Sequence, residues 1–265
     1  MIKKFLASLK IGLKSAVIYR FHFYVGLVTA PLTLLIYYYL WKSIYGFSGQ
    51  TIINGFSFEL LVSYYAINTI VAWIVYSEVD EWFERNILNG ELTVDLIIPI
   101  HLFPYYFLIH QGFNIFCLVV ETLPFLFIAT MVFNIQLPGV GMILAFIVGL
   151  LLALLLNFMI AYLVGLGAFW LKRITGMRRA KNTIVMFLAG GILPLSFFPI
   201  WFQKISEFLP FQYIRNSIIN IWLYPQSLVE LLKIYFMQLF WIGIFWLIIS
   251  FVWKKASKKF SGVGV

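Results

Sequence analysis

Residues 140–171 read VGMILAFIVGLLLALLLNFMIAYLVGLGAFWL, and this stretch decides the fold class. It contains no charged side chain, and Asn157 is its only amide. About 20 apolar residues in a helix are enough to cross the hydrocarbon core of a bilayer. Because the stretch exceeds that length and Lys172 and Arg173 follow it at once, we predict a transmembrane helix that ends at a basic membrane edge.

The composition of the whole chain agrees with that local pattern. Hydrophobic residues make up 63% of the 265 residues, aromatic residues 20% and charged residues only 11%. A soluble domain carries about a quarter charged residues, so this chain has too little charge to cover a surface that faces water. Similar apolar runs lie at residues 21–41, 58–76, 104–133 and 228–253. We predict an all-α integral membrane protein that forms one transmembrane domain over residues 1–265.

The net charge of +9 does not indicate a nucleic-acid partner, because of where the charges lie. Lys and Arg cluster at residues 3–20, 172–181 and 254–259, and each cluster flanks an apolar run. Such clusters are typical of cytoplasmic membrane edges, whereas a nucleic-acid groove spreads its charges over one folded face.

The charge pattern also predicts the topology. A shorter apolar run at residues 183–195 brings the number of spans to six, so that both termini lie on the same side of the membrane. If that side is the cytoplasm, all but four of the 19 Lys and Arg residues lie there. The four exceptions are Lys42, Lys204, Arg215 and Lys233. We therefore expect a multi-pass protein of the cell membrane with a cytoplasmic tail at residues 254–265.

Residues 1–20 have the pattern of an amphipathic helix. Apolar Phe5, Leu9 and Leu13 recur at helical spacing, while Lys10 and Lys14 face elsewhere. Such a helix lies in the membrane interface ahead of the first span, although a plain basic tail is the alternative.

The segment between spans two and three, residues 77–101, holds six of the ten acidic residues. Ser77 and Asp80 resemble a helix-capping pair, and Gly90 is a typical residue beyond the C-terminus of a helix. Acidic side chains fit poorly against anionic headgroups, so this helix is predicted to dock on a soluble partner rather than to lie on the membrane. The candidate docking residues are Glu78, Asp80, Glu81, Trp82, Glu84, Arg85, Gly90, Glu91 and Asp95.

The segment before the last span reads GGILPLSFFP over residues 190–199. Pro194 and Pro199 interrupt what would otherwise be a span, and a helix broken at membrane depth has to be packed inside protein. We predict a pair of half-penetrating helices on the outer face over residues 196–226; a simple outer loop is the alternative. The residues that break the helix are Gly190, Gly191, Pro194, Pro199 and Pro210.

Glu121 is the one carboxylate well inside an apolar run. A charge at that depth is costly, so it is expected either to line a substrate path or to pair with Lys233 or another polar group. Asn114 is a candidate for the same polar contacts between helices. The single cysteine, Cys117, excludes a disulfide within the chain, and no clustered ligands suggest a metal site.

Two stretches together resemble the permease subunits of the ABC-2 transporter family, with the type V exporter-like fold. The first is the run ILNGELTVDLIIP at residues 87–99, and the second is the Gly- and Pro-rich stretch described above with its closing Leu209-Pro210-Phe211. The resemblance covers essentially the whole chain. One departure is Ile98, where the family often carries Arg before the closing Pro.

The resemblance implies that ATP and its Mg²⁺ bind a separate ATPase subunit that docks on residues 77–99. It also implies two permease chains in each transporter, as a homodimer or a paired heterodimer among membrane lipids. This chain would then be no enzyme and would bind no cofactor itself. The residues agree, because no Gly-x-x-x-x-Gly-Lys-Ser/Thr motif is present to hold phosphates.

The expected function is export of a lipophilic, lipid-linked or peptide substrate. The alternative is a membrane-embedded lipid-processing enzyme, for which the acidic loop would supply carboxylates without the paired Asp motifs that hold Mg²⁺ on a diphosphate. A channel or secondary carrier is disfavoured, because intramembrane polar residues are sparse and no inverted repeat is evident.

Overall fold

The computed structural model describes residues 2–18 and 20–259, with side chains over 4–18 and 23–259. Met1 and Tyr19 of the predicted N-terminal helix, and residues 260–265 of the predicted tail, therefore lie outside the described residues. Within them the fold is helical, and the strands form one short hairpin of β1 (Ile52–Ile53) and β2 (Phe56–Ser57). The predicted all-α class is confirmed.

The described helices are numbered in chain order. They are α1 (Ile2–Ile18), α2 (Arg20–Ser48), α3 (Phe58–Val75), α4 (Val79–Leu88), α5 (Leu92–Ile97), α6 (Leu102–Cys117), α7 (Leu123–Phe133), α8 (Val140–Leu166), α9 (Ala168–Leu171), α10 (Thr175–Leu188), α11 (Ile200–Phe208), α12 (Asn216–Leu223) and α13 (Leu228–Lys259). A π-helical turn, Leu118–Thr122, joins α6 to α7. Two 3₁₀ turns, Leu195–Phe197 and Phe211–Tyr213, flank α11.

Five stretches of the described chain are helical, long and apolar enough to cross a membrane. They are Phe23–Ser48, Phe58–Leu88, Leu102–Phe133, Val140–Leu171 and Leu228–Lys259. The run at residues 183–195 is not a continuous helix, since α10 ends at Leu188 and Gly190 takes a φ of +77°. A left-handed residue followed by Pro194 cannot continue an α-helix.

The long helices form a bundle with two distinct ends. Tyr235 of α13 donates to the carbonyl of Ala145, and Trp253 of α13 contacts Phe169, so α13 runs parallel to α8. Asn157 of α8 donates to the carbonyl of Val75, which places the end of α3 beside the second half of α8. We call the end that carries β1 and β2 the hairpin end, and the opposite end the α4 end.

The core of the bundle lies between α3, α8 and α12. Ile218 and Ile221 of α12 are fully buried, and a Cβ added at Gly149 of α8 would lie 2.9 Å from Ile218 Cδ1. Lipid gives no hydrophobic drive to helix association, so small residues that permit close approach have a large share in the packing. This contact fixes the short helix α12 inside the bundle.

Helix α1 lies directly against α6. A Cβ added at Gly12 would lie 1.8 Å from the carbonyl oxygen of Ile109, and one at Gly112 would lie 2.2 Å from that of Leu9. Lys4 Nζ lies 3.5 Å from the carbonyl of Pro99, so the two helices run in the same direction. The predicted N-terminal helix is thus present, while its location in the membrane interface stays a prediction.

Candidate functional site

Helix α4 has an apolar face seated on the bundle. Val79 and Phe83, one turn apart, are both fully buried. The Phe83 ring packs edge to face against Tyr106 of α6 and Tyr162 of α8, with centroids 5.2 and 5.0 Å away. Aromatic pairs prefer this arrangement, which adds to the gain from burial. The aromatic contacts therefore fix α4 across α6 and α8.

Gly165 of α8 permits this close seating. A Cβ at Gly165 would lie 2.6 Å from Phe83 Cδ2 and 3.0 Å from the Cα of Asp80. The second neighbour is backbone, which cannot move away as a flexible side chain can. Any larger residue at this position has to lift α4 off α8.

The acidic face of α4 pairs with the basic face of α10. Lys181 Nζ lies 2.7 Å from Asp80 Oδ2, and these side chains are only 7% and 1% exposed. Arg178 lies 2.9 Å from Glu81 and 3.7 Å from Glu84, and the Thr175 hydroxyl donates to Glu84. A buried pair of charges has to be satisfied as a unit, since either partner alone is strongly unfavourable. The contacts bind α4 and α10 together through one polar cluster at the α4 end of the bundle.

The structure divides the predicted docking residues into two groups. Asp80 and Glu84 are buried in contacts with α10, and Asp95 accepts hydrogen bonds from Tyr106 and Asn86. Trp82 is half-buried, and its ring contacts the rings of His110 and Tyr106. These residues hold the segment in place, so surface contact with a partner is left to the others.

The outward-facing members lie on and beyond the end of α4. Arg85 and Glu91 are exposed, Glu81 is nearly half exposed, and Glu78 accepts a hydrogen bond from Tyr76. Gly90 takes a φ of +75° just after α4 ends, as its predicted role in terminating the helix requires. The docking role of these members stays a prediction.

A mixed apolar and charged surface continues from α4 into α5. We call it the α4–α5 surface and define it as Arg85, Leu88, Asn89, Glu91, Val94 and Ile97, all of which are exposed. A groove of about 280 Å³ runs beside it, lined in part by Arg85, Leu88, Asn89 and Arg173. Exposed apolar side chains rimmed by charges are typical of sites that bind another protein.

The end of α3 is held by polar side chains from two other helices. Asn114 of α6 donates to the carbonyl of Ile74, and Asn157 of α8 donates to that of Val75. A ring nitrogen of His110 lies 3.0 Å from the carbonyl oxygen of Tyr76. The last carbonyls of a helix lack partners within the helix, so these contacts complete α3 inside the bundle. For Asn114 this favours polar pairing over contact with a substrate.

Replacing Asn114 by leucine is expected to lower the free energy of unfolding by about 0.6–1.7 kcal/mol, the usual contribution of a polar contact between membrane helices. The variant leaves the Ile74 carbonyl without its side-chain donor. Unfolding of the purified protein in mixed micelles, followed by circular dichroism, measures the change. The exposed neighbour Ile115→Leu is the control, and an Asn114→Leu protein as stable as this control would contradict the assignment.

Glu121 lies in the π-helical turn and is buried. The Cys117 thiol donates to its Oε2 at 2.9 Å, and a Cβ at Gly26 of α2 would lie 2.1 Å from its Oε1. Lys233 is exposed on α13, which packs on α8 and α9, so the predicted Glu121–Lys233 pair is not formed. Glu121 instead occupies space that Gly26 leaves open. Whether it also lines a substrate path stays a prediction.

The broken segment is anchored to α3. Tyr64 donates to the carbonyl of Gly190, Asn68 to that of Gly191, and Tyr65 to that of Ile192. Pro194 precedes the first 3₁₀ turn, Pro199 precedes α11, and Pro210 precedes the second 3₁₀ turn. The predicted glycines and prolines thus stand where helices end or begin.

Arg178 and Lys181 are contributors that the sequence analysis did not assign to this site. The basic run that contains them, residues 172–181, was interpreted only as a membrane edge. The signal that could have identified them is their spacing of three residues, which places both on one face of α10 and matches the acidic residues on α4. Among the described residues, no group of three or more His, Cys, Asp or Glu side chains is placed to hold a metal ion.

The chain is similar to a known protein family. A family model described as ABC-2 family transporter protein matches residues 23–264, nearly the whole chain. No curated protein and no solved structure matches the chain. The resemblance that the sequence motifs predicted is confirmed.

Proposed function

The chain belongs to the ABC-2 transporter family, and we propose that it is the membrane permease subunit of an ATP-driven transporter. The observation that carries the proposal is the seating of α4, which is buried against α8 and ion-paired to α10 while the α4–α5 surface faces outward. The sequence holds no phosphate-binding Gly-x-x-x-x-Gly-Lys-Ser/Thr motif. ATP and Mg²⁺ would therefore bind a separate ATPase subunit, and that subunit would dock on the α4–α5 surface.

We further propose six crossings with both termini in the cytoplasm. Helices α8 and α13 both run from the hairpin end to the α4 end, so the chain between residues 171 and 228 has to return between them. α10 and the non-helical residues 189–194 would make this passage, with α11 and α12 as the half-penetrating pair on the outer face. The basic residues near Lys172 and Lys254 support a cytoplasmic location for the α4 end.

The proposed mechanism couples ATPase motion to the outer half of the bundle through α10. Two ATPase subunits that close on ATP would displace α4, and the Asp80–Lys181 pair would pass this displacement to α10. The far end of α10 is fixed to α3 through Tyr64 and Asn68. Rigid-body movement of packed elements is one form of such transitions, and α10 would move in this way.

Export of a lipophilic, lipid-linked or peptide substrate by two permease chains, identical or paired, completes the proposal. A cleft of about 450 Å³ at the α4 end supports a lipophilic cargo. It lies between the start of α6, α8 and α13, and aromatic side chains of Phe103, Tyr162, Trp246 and Trp253 line it. Clefts that are mostly apolar with few polar groups suit small amphiphilic ligands.

The alternative, a membrane-embedded lipid-processing enzyme, requires carboxylates that are free to act at one membrane face. Asp80 and Glu84 are instead committed to α10, and Asp95 to Tyr106 and Asn86. These contacts favour the transport proposal over the enzyme.

An Arg85→Glu, Leu88→Asp double variant tests the docking surface. Both residues are exposed, so the variant should fold normally. The substitutions reverse one charge and replace one apolar side chain on the surface that would contact the ATPase. Loss of central interface residues typically costs a few kcal/mol, so we expect binding of the ATPase subunit to weaken at least about tenfold. Co-purification of the two subunits and ATP turnover of the complex are the measurements.

The matched control is Lys204→Glu, a charge reversal at an exposed site of α11. This control should retain wild-type ATPase binding, because α11 lies beyond the membrane from the proposed docking surface. Equal ATPase binding and turnover in the double variant and in the control would contradict docking on the α4–α5 surface.

A further inference from the structure

Arg215 is a partly buried cation for which the described residues show no hydrogen-bond acceptor. It lies at the start of α12, and its Nη1 would be 3.0 Å from a Cβ at Gly191. Its Nε is buried and has no hydrogen-bond partner. Within the described part of the chain, the ion pairs involve Arg178 and Lys181, and none involves Arg215.

The nearby backbone does not supply the missing acceptor. The C-terminal carbonyls of α10 are engaged by backbone N–H groups: Gly191 donates to Met186, and Gly190 to Phe187. The carbonyl of Ala189 accepts from the N–H of Asn216. The next three carbonyls, of residues 190–192, accept from side chains of α3. Each of these oxygens is thus used elsewhere, and none accepts a hydrogen bond from the guanidinium group.

The surroundings of Arg215 are amphiphilic. Met186 Cγ lies 3.3 Å from the same Gly191 Cβ position, and Met186 and Ile192 are 46% and 39% exposed. Part of Arg215 remains accessible. A guanidinium group therefore lies beside exposed apolar side chains, a combination that suits a ligand with an anionic group and an apolar chain.

We infer that Arg215 binds the anionic group, a carboxylate or a phosphate, of a transported amphiphile. The inference rests on the proposed transport function and names the class of its substrate. A buried charge without a counter-ion is strongly unfavourable, and ionisable residues inside a membrane mark substrate pathways. Arginine suits this role, because its planar fork of donors matches carboxylate and phosphate oxygens and stays charged. Met186 and Ile192 contact the first part of the apolar chain.

Binding of dodecyl phosphate tests the inference, with the purified full-length chain in phosphatidylcholine nanodiscs. We expect Arg215→Gln to weaken this binding at least about tenfold, the loss of one charge-assisted contact. Arg215→Lys keeps the charge but loses the planar fork of donors. Its affinity for dodecyl phosphate should therefore lie between those of the wild type and Arg215→Gln. Uncharged dodecyl maltoside should bind all three proteins equally, and inorganic phosphate alone should not compete, because the apolar chain is part of the ligand.

Arg179→Gln, an exposed arginine of α10, is the control for attraction to the basic end of the bundle. It should bind dodecyl phosphate as the wild type does. Equal affinity of wild type and Arg215→Gln for dodecyl phosphate would overturn the inference. An equal loss in Arg179→Gln would do so too, because it would indicate attraction to the general positive charge.

Thermal stability separates a ligand-binding arginine from a structural one. Without a ligand, Arg215→Met should melt no lower than the wild type, since it removes an uncompensated charge; dodecyl phosphate should stabilise only the wild type. If Arg215→Met has a strongly lowered melting temperature and dodecyl phosphate still stabilises it, Arg215 is a structural residue. If dodecyl phosphate binding is lost only when the two permease chains also separate, the counter-ion of Arg215 would lie on the second copy of the chain. Because Arg215→Gln should still bind the ATPase subunit, either contrary result would leave the proposed function standing.

Discussion

Replacing Lys181 by methionine is expected to lower the free energy of unfolding by about 3–5 kcal/mol, the usual consequence of removing one partner of a buried ion pair. Lys181 Nζ lies 2.7 Å from Asp80 Oδ2, and Asp80 is only 1% exposed. Methionine fills a similar volume, so the loss comes from the carboxylate that stays buried without its cation. Equilibrium unfolding of the purified chain in mixed micelles measures it.

The double variant Asp80→Asn, Lys181→Met is the control for this prediction. It removes both charges, and replacing a buried ion pair by uncharged residues of similar volume is often neutral. Most of the stability lost in Lys181→Met should therefore return. A Lys181→Met protein as stable as the wild type would show that α4 and α10 are not joined through this pair.

Replacing Gly165 by leucine is expected to separate α4 from α8. Even a Cβ would lie 2.6 Å from Phe83 and 3.0 Å from the backbone of Asp80, so a larger side chain has no free volume. Overpacking of this kind costs about 1–3 kcal/mol. Because α4 is the proposed path from the ATPase to the bundle, we expect the complex to assemble but to hydrolyse ATP without responding to substrate. Thermal stability and substrate-stimulated ATP turnover are the two measurements.

Gly243→Leu on α13 is the matched control, because a Cβ at that exposed position would meet no described atom within 4 Å beyond its chain neighbours and the adjacent backbone of its own helix. It should retain both stability and stimulation of turnover. Wild-type stimulation in Gly165→Leu would show that the seating of α4 on α8 is not needed for coupling.

The sequence predicted those parts of the fold that depend on local patterns. The apolar runs gave the helical class and the long helices, because length and composition alone decide whether a helix suits lipid. Gly90 was identified as a helix end, since glycine takes a positive φ without strain. The prolines of the broken segment likewise stand where the structure begins its short turns and helices.

The contacts between distant segments could not be predicted in this way. Asp80 was assigned to a partner surface, because nothing in its own segment shows that Lys181, a hundred residues further on, lies beside it. The parallel packing of α1 on α6 depends on Gly12 and Gly112, whose close contact has no local periodicity to reveal it. The run at residues 183–195 was counted as a whole span, although Gly190 ends α10 before it.

Site-specific cross-linking to the ATPase subunit tests the central claim most directly. In a Cys117→Ser background, single cysteines at Asn89 on the α4–α5 surface and at Lys204 on α11 are labelled with a maleimide–benzophenone reagent, which cross-links to any neighbouring chain when the assembled complex is irradiated. Asn89→Cys should yield a product of one chain and one ATPase subunit, with a yield that changes when ATP and Mg²⁺ are added, and Lys204→Cys should yield none. Cross-linking at Lys204→Cys, or none at Asn89→Cys while the ATPase stays bound, would contradict docking at the α4 end.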